Sequence, residues 1–186
     1  MLRWGSAEEG AGAHAERWAR ERDLVREAIL TRGWSRRKRA FTQAFGVEDL
    51  DAVALLIPLV GSLPADDERV RSTIDAVERE LLQDGLLLRY RSDDGLQGDE
   101  ATFVICSLWL VRALARAGEL GRATEVFERV LGFANDLGLL AEEIDPRSGE
   151  QLGNFPQTFS HAGLITAAWD LDHAGRGSSV NEDAHV

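Results

Sequence analysis

The chain has 186 residues, a formal net charge of −11, a pI near 4.8 and 44% hydrophobic residues. Its length predicts one domain around one core. Its acidity excludes nucleic acid and an anionic membrane as main partners, because either needs clustered Lys and Arg. The short basic run Arg36 to Arg39 reads as a solvated turn. The lone cysteine, Cys106, lies in an apolar run and reads as a buried core thiol, so no disulfide framework is expected. No metal-ligand cluster stands out, and no metal or cofactor is expected. No stretch approaches the about 18 apolar residues of a spanning helix, and MLRWGSAEEGAG lacks an apolar leader core. A cytoplasmic protein is the expectation.

In chain order, residues 1–13 read as a flexible N-terminal segment, 14–172 as a helical domain and 173–186 as a disordered polar tail. His14 to Thr31 is predicted helical, with Trp18, Val25, Ala28 and Ile29 on one stripe and Gly33 as its stop. Lys38 to Phe45 is a candidate strand. Asp51 to Val60, DAVALLIPLV, reads as a buried helix broken near Pro58 and ended by Gly61. A helix opened by Pro64 and Asp66 follows, with Val70, Ile74, Val77 and Leu81 at helical spacing.

Leu86 to Arg91 is a second candidate strand, leading into the polar loop SDDGLQGDE. Ala101 to Ala117 is apolar on nearly every face, which predicts burial on all sides. After Gly118, Leu120, Ala123, Phe127, Val130, Ala134 and Leu137 define another amphipathic stripe. Ala162 to Leu171 is again almost wholly apolar.

Amphipathic and apolar helices thus alternate three times, a loose repeat with inner members starting near residues 51, 101 and 160. Paired helices in two layers make an α/α toroid or solenoid whose inner-helix entry loops share one rim. Those loops bring carboxylates, and glycoside hydrolysis needs two across a sugar bond.

The stretch from Leu140 to His161, LAEEIDPRSGEQLGNFPQTFSH, stands apart from the helices. It is longer than the about 12 residues that a structureless connection usually reaches inside a compact domain. It opens with Glu142 and Glu143, adds Asp145, and is punctuated by Pro146, Gly149, Gly153 and Pro156, while Leu152, Phe155 and Phe159 are expected to tie it down. Two readings stand: an active-site wall, or a solvated helix end.

LAEEIDPRSGEQLGNFPQTFSHAGLI closely resembles the C-terminal signature of bacterial glycoside hydrolase family 15, the glucoamylase and trehalase-like enzymes. DEATFVICSLWLVRALARAGELGRA and LDAVALLIPLVGSLPADDERV resemble two further segments in the same order, so the likeness spans about residues 16 to 172. The resemblance implies an all-α, (α/α)6-barrel domain, of which about half, three helix pairs, is present. It also implies an inverting hydrolase of α-glucosidic bonds in carbohydrate metabolism. The family's base motif, L-S-E-[EQ]-x-D, falls on Leu140 to Asp145, with Ala141 where Ser is usual, which makes Glu142 the candidate catalytic base. Glu143, and Glu100 in GDEATF, are the candidate substrate-binding residues; for Glu100, support of a helix dipole is the competing role. Asp51 reads as an N-cap, Trp109 and Trp169 as core, and His161 as structural.

The family's general-acid motif, W-E-x-R-G, has no match: Trp4 is followed by Gly5. The chain is therefore expected to be incomplete as an enzyme. Its implied partners are an α-glucoside or trehalose-like substrate and an N-terminal half or a second copy. The competing function is a non-catalytic helical-hairpin scaffold that binds a sugar or a partner.

Overall fold

The computed structural model describes residues 12–91 and 101–182, with side chains from 14 to 176. Glu100, and with it the second rim loop, lies outside the described residues. Helix α1 (Gly12–Arg32) leads into the hairpin β1 (Trp34–Ser35) and β2 (Ala40–Phe41), in register Trp34 with Phe41. A 3-10 turn (Ala52–Leu55) runs into one turn of helix, α2 (Leu56–Leu59). Then come α3 (Glu68–Leu81), the hairpin β3 (Leu82–Gln83) and β4 (Leu86–Leu87), β5 (Thr102–Phe103), α4 (Val104–Arg116) and α5 (Leu120–Leu131). The described residues end with β6 (Glu143–Ile144), β7 (Gln151–Leu152) and α6 (Thr158–Glu182). α6 thus runs on past Gly175, where the sequence points to a polar tail.

α4 is the centre. Val104, Cys106, Leu108, Leu110, Val111, Ala113, Leu114 and Ala115 are all buried, which is what a helix without a polar face requires. It packs against α2 and α6 and also against α3 and α5. Arg112 donates to Asp170 at 2.8 Å, and Arg116 reaches both Asp170 and the Leu59 carbonyl, so α4 is tied to α6 and to the end of α2. Cys106 is a core thiol as expected. Burial, helped by the Asp51 carboxylate, pushes it up to about 12.

α3 shows how local chemistry sets a boundary. Asp67, one residue later than expected, caps it by accepting from Arg69 N at 2.8 Å, and Val70, Ile74, Val77 and Leu81 turn inward. The basic turn is consumed by acids: Arg37 pairs with Glu48, Lys38 with Glu80 and Arg39 with Glu68. Asp51 accepts from Val53 N, as an N-cap does.

Several expectations are corrected. The apolar stripe of α1 is not buried: Trp18 is 60% exposed and Val25 58%, and only the end near Ile29 and Leu30 meets the core. α1 packs chiefly on β1, so it does not form the outer member of a first helix pair. Leu137 is 75% exposed because α5 ends at Leu131 and the stripe stops with it. Trp169 is 64% exposed and stacks on His173 instead of joining the core. Both candidate strands shrink to two-residue pairings, because their partners β1 and β3 follow closely on α1 and α3, whose helical residues cannot extend the ladder.

Candidate active site

The stretch from Leu140 to His161 holds a hairpin followed by the first turn of α6. β6 lies between β5 and β7 in an antiparallel sheet, with Glu143 opposite Phe103 on one side and Leu152 on the other. Its turn, DPRSG, is built by Asp145, which accepts from Arg147 N at 2.9 Å and from Ser148 Oγ at 3.0 Å. The Arg147 N–H, then the Ser148 hydroxyl, hold this carboxyl below the usual carboxylate range. Asp145 shapes the turn.

The aromatics do not hold the hairpin down. Phe155 is 51% and Phe159 71% exposed. The anchors are Leu140, Ala141 and Ile144, all fully buried, and a set of polar contacts to the Ala141 backbone. Ser160 Oγ donates to Ala141 O at 2.7 Å. Gln151 accepts from Ala141 N at 2.7 Å and donates to Phe133 O at 3.0 Å. His161 accepts from Leu140 N at 3.4 Å and contacts Gln157 O, a structural role.

This frame fixes Glu142. Its carbonyl accepts the first N–H of α4, from Val104, at 3.1 Å, so the residue sits at the N-terminal end of the central helix. Its side chain is half-buried. Oε2 accepts from Asn154 Nδ2 at 2.8 Å and from Asn154 N at 3.2 Å, while Glu142 N donates back to Asn154 O at 3.0 Å. Gly153 has φ +73, and a Cβ there would stand 2.9 Å from Oε2. Only glycine lets the turn come this close.

Glu143 is the next residue, half-buried and within the ladder. The 3-10 turn is tied to the segment after β4: Asp51 bridges to Tyr90, and Ala52 N donates to Arg89 O at 2.8 Å. Arg89 lies 3.8 Å from the nearly buried Asp51 carboxylate. A half-buried carboxylate held through one oxygen can accept a proton at the other, which is the chemistry of a general base. Asn154 and Gly153 escape a reading of the sequence as loop. Once DPRSG is taken as a hairpin turn, they fall opposite Glu142.

The helical fold described above recurs in solved structures. Two solved glycosidases share it: a wild-type enzyme (20% identity) and one in complex with glucose (21%), each with a TM-score of 0.72 over 89% of this chain and 46% of theirs. The family model described as glycosyl hydrolases family 15 matches residues 6–169, and the chain belongs to that family. Its relatives include trehalases of Mycobacterium tuberculosis (52% identical over 162 residues) and of Thermoplasma volcanium (41% over 175 residues). The matches cover 86% and 92% of this chain but 24% and 28% of those trehalases, so the chain spans about a quarter of their length.

Proposed function

We propose that this chain carries the water-activating part of an inverting glycosidase site for α-glucosidic bonds, with Glu142 as general base. The observation that carries the reading is the held carboxylate of Glu142 at the head of α4, in a chain of glycosyl hydrolases family 15. In this reading Glu142 takes the proton of a water that attacks the anomeric carbon. The glycosidic C–O bond breaks as an acid protonates the leaving oxygen, from about 6.5–9.5 Å across the sugar. That acid is to come from a partner segment, since no W-E-x-R-G motif occurs in these 186 residues. In the same reading Glu143 and Glu100 bind the substrate, and trehalose is the favoured one because the relatives named above are trehalases.

The architecture that fits is three inner elements of an (α/α)6 barrel. The apolar residues left in solvent are then its open edges. Phe159, Ile165 and Trp169 form one along α6; Trp18, Leu24 and Val25 lie on α1 at the other end of the chain. Covering them favours an N-terminal half or, failing that, self-association.

The experiment is a chimera in which residues 6–169 replace the matching segment of the Mycobacterium tuberculosis trehalase. It should hydrolyse trehalose and release one glucose with inverted anomeric configuration, read by proton NMR. The chain alone should hydrolyse neither trehalose, maltose nor starch. A folded chimera without turnover would refute the proposal.

A further inference from the structure

We infer that Asn154 is a positioning residue: it holds the Glu142 carboxylate by one oxygen so that the other is presented to water. The inference rests on Glu142 being the base and adds how it is aimed.

A glutamate side chain has three rotatable bonds, and a free one spreads its lone pairs over many directions. Here three features meet on a single atom. Asn154 Nδ2 donates to Oε2 at 2.8 Å, and Asn154 N donates to the same oxygen at 3.2 Å. Gly153 leaves the space that the oxygen occupies, since any Cβ would come within 2.9 Å of it and 3.1 Å of the Glu142 Cβ. No described residue donates to Oε1 through a hydrogen bond of this kind. The pair is closed from the other side by Glu142 N donating to Asn154 O at 3.0 Å, so side chain and backbone lock together.

The donors are neutral amides. An Arg or Lys in the same place would hold the carboxylate as well, but would stabilise its charge so strongly that it becomes a poor base. An asparagine orients the carboxylate without bringing a charge beside it. Misplacing a reacting group by about 1 Å can cost about 100-fold in rate.

Two measurements test this. The first uses the chain as it stands and needs no activity. In Glu142→Ala the amide proton of Asn154 should exchange about 10-fold faster, because its acceptor is gone, while that of Asp145, bonded to the Glu150 carbonyl at 3.0 Å, keeps its rate. Unchanged exchange at Asn154 would overturn the geometry.

The second uses the trehalase chimera. Asn154→Ala should lower kcat about 10- to 100-fold with KM within about twofold, as loss of aim does. Gly153→Ala, which pushes on the carboxylate with Asn154 intact, should do the same. A raised KM at unchanged kcat would overturn the inference and make Asn154 a sugar contact. Full activity of Asn154→Ala beside a dead Glu142→Gln would overturn it and leave the base in place. An active Glu142→Gln would remove the base reading, and this inference with it.

Discussion

α4 and α6 have sequences of similar character and opposite fates. Both are nearly all apolar in the stretches that read as inner helices, yet α4 buries nine of its 13 residues while α6 buries Gly163 and Ala167 and shows Ile165 and Trp169 to solvent. The difference is one of neighbours. α4 packs against α2, α3, α5 and α6, whereas α6 has α4 and the weaker contact of α5. Apolar composition states that a face needs covering. It does not state that this chain supplies the cover.

The sharpest break of that comparison is in the core. Leu108→Ala in α4 removes a fully buried side chain and should cost about 2–5 kcal/mol, measured by urea unfolding. A loss below about 1 kcal/mol would mean that α4 is not the packed centre.

Next comes the seam between the two helices. A Cβ on Gly163 would meet Ile105 Cδ1 at 2.6 Å and Leu108 Cδ1 at 3.1 Å, so Gly163→Ala should destabilise by about 1–3 kcal/mol through overpacking. A neutral result would show the helices further apart.

Asp67→Ala should cost about 1 kcal/mol near neutral pH through loss of the α3 cap. The Arg69 side chain, with its backbone N–H, lowers the Asp67 carboxyl from 3.8, so its contribution is present above the unfolded value and is lost as pH falls through the folded one. The gap between the variant and the parent protein should therefore close below about pH 4. A constant gap down to pH 2 would assign the effect to packing. Smallest of all, Ile165→Ala on the exposed face of α6 should change stability by less than about 0.5 kcal/mol. A loss like that of Leu108→Ala would mean the face is covered in solution, by self-association.

Long periods were legible in the sequence. Val70, Ile74, Val77 and Leu81 mark the buried side of α3 by spacing alone, and the apolar run of α4 predicts its burial. What escaped depends on contacts between distant residues. β6 and β7 are two residues each, too short to alternate, and only the pairing of β6 with β5 on one side and β7 on the other makes them strands. The exposure of α1 and α6 escaped because amphipathicity predicts which face is apolar and says nothing of what packs on it. At the candidate site, the family motif singles out Glu142 as the candidate base. Asn154 was not legible, because twelve residues separate it from the carboxylate that it holds.

The most direct test of the account compares two neighbouring amides. In the trehalase chimera, Glu142→Gln keeps the shape of the side chain but cannot accept water's proton, and should lower kcat by about 10²–10⁴. Glu143→Gln, one residue into the strand, should stay within about tenfold of the parent. Turnover that survives Glu142→Gln and is lost with Glu143→Gln would contradict the assignment of the base.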